Sequence, residues 1–184
     1  LIAFMPDFLA YRIPNKQAVK KVGLFKLINK LDGLNKEFIF SNFNQNKQYK
    51  FTSEDIDFDS TYQTHYATEE PKVISKQQYL KYGNRILGFF RSKSLNKIVF
   101  SRIKMTEFDS RNTKDLFEKL CMQYPKAFVY LISSKAEGTW IGATPETLIQ
   151  SFENSGFTMA LAGTKEKNTK VLWNDKEYKE QKWV

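Results

Sequence analysis

Three places in the sequence combine ionisable side chains with a context in which they could do chemistry. Lys97 begins an alternating apolar segment, Glu146 follows a Pro turn among small residues, and Glu177 and Glu180 are three residues apart near the end. A lysine can act as a general base in a partly desolvated pocket, because desolvation lowers its pKa from ~10.4 towards neutrality. A nearby carboxylic acid could serve as a general acid. Two carboxylates one helical turn apart could bind a hard cation such as Mg²⁺.

Each of these residues also has a purely structural interpretation. A lysine at the start of a strand commonly extends its amine into water. Glu177 and Glu180 could form exposed ion pairs with the lysines of the same charged helix. From spacing alone we favour the ion-paired helix over a metal site.

Residues 140–164 are rich in small residues and predict strand, turn, strand, small turn and strand. Residues such as Gly142 and Gly163 bury little apolar area, but they let another group approach the backbone closely. Two interpretations remain open, a twisted hairpin relieved of strain and a ligand site. The carboxylate of Glu146 beside the Pro turn favours the ligand site.

The only histidine and the only cysteine offer less. His65 lies in a polar segment without a second His or Cys partner, and we expect it at the surface. Cys121 falls in a helical pattern and is expected to be a buried structural thiol. A single cysteine excludes an intramolecular disulfide and fits a reducing, cytoplasmic location.

The composition limits the partners. The chain has 29 basic and 20 acidic residues, a net charge of +9. The lysines look scattered and carry no nucleic-acid-binding signature, so we interpret most of the charge as solvated surface and expect no nucleic-acid partner. A positive field would also attract a small anionic substrate. No apolar run approaches the ~20 residues of a membrane span, and no signal peptide opens the chain.

The surrounding elements predict a mixed α/β (α+β) fold with antiparallel-rich sheets and flanking helices. Alternation and turn signals divide it into an N-terminal sheet region with its connector (1–74) and a strand-helix region (75–184), within one domain. Strands are predicted at residues 8–13, 22–31 (with a turn at Asp32 and Gly33), 38–40, 48–51, 97–105 and 127–133, and a connector at 52–72.

Three helices are predicted. Ser75 and Gln78 form a capping-box signature that begins a helix ending near residue 92. A second helix starts at residues 112–113 and ends at Pro125, and the third covers residues 175–184. In the second helix we expect one apolar face, formed by Leu116, Leu120 and Tyr124. In the strand at 97–105, period two predicts an inward-facing set of Lys97, Val99, Ser101 and Ile103.

Four segments now carry a resemblance to a known family. They occur in the order of successive motifs of the chorismate-utilising enzymes, and they resemble most closely the isochorismate synthases of menaquinone or siderophore biosynthesis. The resemblance implies one α/β domain with sheets packed face to face, which binds chorismate and Mg²⁺ in a cleft. The segments are residues 97–102 (KIVFSR), 140–148 (WIGATPETL), 159–164 (MALAGT) and 176–184 (KEYKEQKWV).

The resemblance also implies roles for single residues. Lys97 matches the lysine that activates water for attack on the chorismate ring, and Glu146 matches the acid that protonates the departing ring hydroxyl. Gly163 matches a glycine bordering the substrate, within a substrate-binding motif that also includes Leu161, Ala162 and Thr164. Glu180 matches a metal-binding glutamate, and Glu177 matches the acidic residue that precedes it.

Two of these positions help to choose an activity. Ala162 stands where aminodeoxychorismate synthases typically have a nucleophilic lysine, and Leu161 resembles the water-using synthases rather than anthranilate synthases. The implied reaction is water attack, which gives isochorismate. Salicylate synthase, anthranilate synthase component I and, from another class, a non-catalytic basic binding domain are the alternatives.

The chain also departs from the family pattern. Gln181 stands where the family usually has His beside the metal-binding glutamate. The resemblance implies that the chain covers only the first half of the family's length, so we expect this polypeptide alone to be inactive. An uncovered sheet edge or apolar face could mediate a dimer.

Overall fold

The structure, a computed structural model, describes most of the 184-residue chain. The described residues are 5–29, 37–54, 63–95, 97–152, 155–159, 163, 165–166, 168–170 and 172–182. The strands are β1 (Asp7–Arg12), β2 (Val19–Ile28), β3 (Ile39–Ser41), β4 (Gln48–Glu54), β5 (Phe128–Ser134), β6 (Gly138–Thr144), β7 (Gln150–Phe152) and β8 (Ser155–Phe157). The helices are α1 (Lys76–Arg91), α2 (Thr113–Gln123) and α3 (Asp175–Gln181), and a 3₁₀ turn precedes α2 at Ser110–Asn112.

The main sheet has six antiparallel strands in the order β3–β4–β2–β1–β5–β6, and β7 and β8 form a separate two-stranded sheet. The predicted mixed α/β class with antiparallel-rich sheets is therefore confirmed. The predicted strands at 8–13, 22–31, 38–40, 48–51 and 127–133 are present, and so are those of the 140–164 stretch up to β8. The predicted turn at Asp32 and Gly33 lies outside the described residues.

Strand β1 lies near the middle of this sheet and is buried on both faces. Its residues alternate, so Phe8 and Ala10 pack on one face while Leu9 and Tyr11 pack on the other. Phe8, Leu9 and Ala10 are each only 1% exposed. A strand with two apolar faces needs a cover on each of them.

Helix α2 covers the first face. Phe117 is its most buried apolar side chain, and Leu120 and Cys121 pack against the same cluster. The predicted bounds of this helix are confirmed, but its predicted face is partly wrong. Tyr124 is 45% exposed because the chain leaves the helix there, and Phe117 takes the central position. Burial raises the pKa of the Cys121 thiol, in agreement with a structural rather than nucleophilic role.

The second face is aromatic, and the sheet curls around it. The Phe40 ring of edge strand β3 and the Trp140 ring of edge strand β6 lie 6.3 Å apart. Beside them, the Tyr49 hydroxyl donates a 2.6 Å hydrogen bond to Glu137, whose carboxylate also accepts from Lys47 at 3.2 Å. The two edges of the sheet therefore meet at the β5–β6 turn.

Two buried charged residues hold the ends of β1. At its start, the Asp7 carboxylate accepts backbone hydrogen bonds from Phe25 (2.8 Å) and Lys135 (2.7 Å). At its end, Arg12 is 8% exposed. Its guanidinium donates to the carbonyls of the α2–β5 connection, at Tyr124 (2.6 Å), Pro125 (2.8 Å) and Ala127 (3.0 Å).

His65 corrects an expectation, because it is 7% exposed rather than at the surface. Its backbone N–H donates to Ser133 Oγ (2.8 Å), and its carbonyl accepts from Thr139 Oγ1 (2.7 Å). Its ring Nε2 lies 3.1 Å from the Pro6 carbonyl. The polar residues around His65 led to the prediction of a surface position. The segment is buried because hydroxyl groups of β5 and β6 form hydrogen bonds to its backbone.

The predicted strand at residues 97–105 is wrong. These residues have no regular secondary structure, and every one of them except Phe100 is exposed. Phe100 stacks on Tyr79 of α1, with ring centroids 4.4 Å apart and planes 8° apart. The alternating pattern predicted the strand, but these residues pair with none of the described strands. The predicted inward set also fails, since Val99 is 87% and Ile103 47% exposed.

Helix α1 confirms the predicted capping box. Gln78 N–H donates to Ser75 Oγ (3.1 Å), and the Ser75 N–H donates to Gln78 Oε1 (2.9 Å). None of its residues is buried, and Leu80, Leu87 and Phe89 are each about half exposed. Among the described residues, no helix has the length and apolar character that crossing a membrane requires.

Replacing Arg12 with Met should lower the free energy of unfolding by about 2–4 kcal/mol, because buried carbonyls that lose a charged donor cost ~1–3 kcal/mol each. Urea denaturation measures this difference. The matched control is Arg111→Met, since the Arg111 side chain is 89% exposed and its ion pair with Asp109 is local. Equal effects of the two substitutions would contradict the role given to Arg12.

The hydrogen bond between Tyr49 and Glu137 should make stability depend on pH. The bond, burial and the negative charge of Glu137 raise the pKa of Tyr49 from 10.0 to about 12. Its contribution is thus complete below pH 10.0 and lost as the pH rises through about 12. The same bond and Lys47 lower the pKa of Glu137, so its contribution is present above the ordinary value of 4.5 and lost as the pH falls through the lowered value.

Tyr49→Phe should therefore destabilise the protein most at intermediate pH, and the deficit should shrink at both extremes. Denaturant unfolding across this pH range measures the difference from the wild type. Tyr66→Phe is the control, because Tyr66 is 75% exposed. A deficit for Tyr49→Phe that is the same at every pH would refute the assignment.

Candidate functional site

Lys97 lies in the extended segment that crosses helix α1. Its side chain is exposed. Three residues later Phe100 stacks on Tyr79, and the Arg102 guanidinium lies 5.9 Å from the centre of the Tyr79 ring. The Tyr79 hydroxyl also lies 3.5 Å from the Phe100 carbonyl oxygen. These contacts attach the segment that carries Lys97 to α1.

Glu146 follows the end of β6, where the chain turns towards β7. The side chain is exposed, and the Glu146 N–H donates to Thr144 Oγ1 at 3.4 Å. The next residues contact the residues that follow β8. The Met159 N–H donates to the Thr147 carbonyl and the Thr147 N–H to Met159 Sδ, each at 3.3 Å, and Thr158 Oγ1 donates to the Leu148 carbonyl at 2.6 Å. The segment after Glu146 is therefore bonded to the residues that precede the predicted substrate-binding motif.

Gly163 shows the close approach that the small residues predict. Its φ of +52° favours glycine, and a Cβ there would lie 2.7 Å from the Trp173 ring and even closer to the Glu177 carboxylate. The predicted substrate-bordering glycine and the predicted metal-site residue Glu177 are thus neighbours. Gly142 differs, because a Cβ there would lie 2.7 Å from the Tyr130 hydroxyl, so its neighbour is a side chain of the sheet.

Glu177 and Glu180 share one cation, Lys176. The Lys176 amine lies 3.4 Å from Glu177 Oε1 and 3.3 Å from Glu180 Oε1. The hydrogen bond to Glu180 and the charge of Glu177 raise the pKa of Lys176. Ion pairs therefore do form on this helix, as its spacing suggested.

One oxygen of this group has no partner. Glu177 Oε2 is buried without a hydrogen bond in the described structure, while Asn174 caps the helix by accepting from the Glu177 N–H at 3.1 Å. A buried carboxylate oxygen without a donor fits a cation at this position. The described residues contain no group of three or more His, Cys, Asp or Glu able to hold a metal ion. Mg²⁺ commonly takes one or two carboxylates and completes its shell with water and substrate oxygens, so Glu177 and Glu180 fit that limited role.

Cavities in the described part of the chain lie away from these residues. One of about 670 Å³ opens inside the curled sheet, at the strand ends opposite Glu137, with Tyr11, Phe51 and Lys21 among its lining residues. Another of about 530 Å³ lies beside His65 and Trp140. The predicted site residues in the described part of the chain line neither cavity.

The buried Asp7, His65 and Ser133 invite comparison with a catalytic triad, which sequence reasoning did not anticipate. The ring Nε2 of His65 lies 3.5 Å from Asp7 Oδ1, but Ser133 Oγ accepts from the His65 backbone and not from its ring. Ser133 is 0% exposed. The arrangement is a buried polar contact between segments and lacks an accessible nucleophile. In the sequence, the feature that could have indicated this contact is the pair of hydroxyl residues Ser133 on β5 and Thr139 on β6.

The predicted residues are therefore joined only in part. Gly163 and Glu177 are in contact, and Glu177 and Glu180 share Lys176. Lys97 and Glu146 are exposed on separate segments. Leu161, Ala162 and Thr164 lie outside the described residues.

Comparison with known families gives one match. The family described as chorismate binding enzyme matches residues 12–181. Comparisons with curated proteins and with solved structures give no match. The matched region runs from the last residue of β1 to the last residue of α3, and it includes Lys97, Glu146, Gly163 and both glutamates of α3. The chain therefore belongs to the chorismate-binding enzyme family.

Proposed function

We propose that the protein is an isochorismate synthase, in which water attacks chorismate with Mg²⁺ as cofactor. The family match supports a chorismate substrate, and the residue at position 162 carries the choice of reaction. Ala162 has no group able to attack the ring. Leu161 resembles the water-using synthases rather than the anthranilate synthases, so water is the nucleophile that the resemblance favours.

The reaction needs one proton taken and one proton given. Lys97, as the neutral amine, accepts a proton from the attacking water while the water oxygen bonds to the ring. The ring diene shifts, and the original hydroxyl leaves as water after Glu146 donates a proton to it. Chorismate and isochorismate are isomers, so no oxidant or further reactant is required.

The two proposed groups have different tasks and similar surroundings in this chain. Both side chains are exposed, so bound substrate has to supply part of the desolvation that favours a neutral amine and a protonated acid. The stack of Phe100 on Tyr79 limits the movement of the segment that holds Lys97. The contacts after residue 146 do the same for the segment that holds Glu146.

The proposed metal site is the Glu177 and Glu180 pair of α3. Glu177 supplies a buried carboxylate oxygen that has no other partner. Glu180 and Lys176 can separate, because their ion pair lies at a partly exposed helix surface. When bound, Mg²⁺ would neutralise a substrate carboxylate and orient it.

Lys97→Ala and Glu146→Gln should each reduce kcat of the full-length protein by about 10²–10⁴-fold, the usual contribution of a general base or acid. The rate is measured by using chromatography to monitor the formation of isochorismate from chorismate. Both side chains are exposed, so thermal unfolding should be unchanged. Full activity in both variants would refute the assignment of the base and the acid.

Matched controls for these variants are Lys126→Ala and Glu107→Gln, which change exposed residues outside the proposed site. The same assay separates the alternatives by product. Pyruvate with salicylate would identify a salicylate synthase, and anthranilate formed with ammonia would identify an anthranilate synthase. Either product in place of isochorismate would overturn the proposed reaction.

Glu180→Gln should weaken Mg²⁺ binding of the full-length protein by at least about tenfold, the lower range seen when groups supporting a metal are removed. Calorimetric titration with MgCl₂ measures the affinity without turnover. Glu166→Gln is the control, since it removes an exposed carboxylate outside α3. Unchanged Mg²⁺ affinity in Glu180→Gln would exclude this residue as a ligand.

A further inference from the structure

The positive charge of the chain is concentrated in one region. Residues 71–106 contain nine of the 29 basic residues and no acidic residue. The remaining 20 basic residues equal the 20 acidic residues of the whole chain. The net charge of +9 therefore belongs to residues 71–106, which include helix α1 and the segment that crosses it, and the scattered appearance of the lysines is misleading.

These nine charges are also free of internal compensation. All nine side chains are exposed, and none takes part in an ion pair within the described structure. Elsewhere some basic residues are paired, since Lys20, Lys47 and Lys50 each form an ion pair with a glutamate. The nine residues are Lys72, Lys76, Lys81, Arg85, Arg91, Lys93, Lys97, Arg102 and Lys104.

Apart from Arg91, which lies in the last turn where a cation is favourable, the charges of α1 do not serve the stability of the helix. The first turn of the helix contains Lys76 and no acidic residue, although a cation at this end opposes the helix dipole. Lys81 and Arg85 are four residues apart, a spacing at which like charges repel each other. A helix under selection for stability alone would place carboxylates at such positions.

The helix and the segment carry these charges as one unit. Phe100 stacks on Tyr79, and Arg102 lies over the same ring. Lys97, the proposed base, is itself one of the nine cations, and it lies between Lys93 and Arg102 in the sequence. A field of one sign is thus centred near the proposed chemistry.

We propose that this basic unit of α1 and residues 93–104 is an electrostatic docking surface for the dianionic substrate, which it concentrates near Lys97. The inference rests on the proposed function. One-sign surfaces raise association rates of opposite charges by about 10–10³-fold, and salt suppresses the effect. A dicarboxylate such as chorismate carries two of the opposite charges.

A small anion suits this unit better than a nucleic acid. The side chains exposed between the cations of α1 include the aliphatic and aromatic residues Leu80, Leu87 and Phe89. The family match supports a small dicarboxylate, chorismate, as the substrate. Nucleic acid therefore remains as a contrary outcome of the test and is not the proposed partner.

The test compares two triple variants of the full-length protein with equal loss of charge. The docking variant is Lys76→Gln, Lys81→Gln and Arg85→Gln, which avoids Lys97 and relieves repulsion in α1. The control is Lys16→Gln, Lys119→Gln and Lys126→Gln, three exposed residues outside the unit. Circular dichroism checks that both variants fold. Chorismate affinity by calorimetry and kcat/KM are then measured at constant Mg²⁺, at ionic strengths of about 0.01 M and about 1 M, where the Debye length falls from ~30 to ~3 Å.

We expect the docking variant to lose about tenfold in affinity and kcat/KM at low salt, with kcat retained and the difference gone at high salt. The control should follow the wild type. Equal behaviour of the two variants would overturn the docking surface while leaving the proposed function intact. Preserved chorismate binding with loss of a salt-dependent RNA gel shift in the docking variant would also overturn it. A wild-type protein that binds no chorismate would refute both.

Discussion

At each end of a strand that is buried on both faces, the backbone leaves the sheet, and the polar groups there need other hydrogen-bond partners. In β1 a charged side chain at each end forms these hydrogen bonds. Asp7 accepts N–H groups from the strand beside it and from the β5–β6 turn, while Arg12 donates to the carbonyls of the α2–β5 connection. The same two residues therefore fix β1, its two neighbours and the exit from α2.

The curl of the sheet follows from what covers the second face of β1. With α2 on the first face, the aromatic side chains of the second face pack on one another, as Phe25 does with Phe51 at 4.9 Å. Sheets twist by themselves, but the approach of Phe40 to Trp140 and the bond from Tyr49 to Glu137 bring the two edge strands together. The sheet uses its own edge to cover its aromatic face.

The sequence predicted those parts of the fold in which local pattern and tertiary contact agree. Strand β1 alternates and is buried, the capping box at Ser75 begins a helix, and Pro125 follows the end of α2. The prediction failed at residues 97–105, where alternation was present but none of the described strands pairs with the segment. It failed at His65 because burial there depends on hydroxyl groups far away in the sequence, at Ser133 and Thr139.

The candidate site was predictable to a different extent. Resemblance to the family predicted Lys97, Glu146, Gly163 and the α3 glutamates by position, and Gly163 and Glu177 lie in contact in the structure. No local pattern could say that Lys97 and Glu146 are exposed, because exposure depends on what packs over a segment. The charge was misread for a related reason, since the absence of acids between Glu70 and Glu107 matters only once those residues are known to lie together.

The well-packed sheet and the charged helix unit divide the work of the chain. The sheet pairs some of its lysines with glutamates, as Lys20 does with Glu118 of α2, and buries its aromatic residues, so it can be rigid without a ligand. The helix unit differs, because its cations form no ion pair with any described residue and apolar side chains such as Leu80 and Leu87 are about half exposed. An anion can therefore bind to these cations without breaking an ion pair of the described structure. Lys97, the proposed base, belongs to this helix unit, whereas Glu146, the proposed acid, follows strand β6 of the rigid sheet.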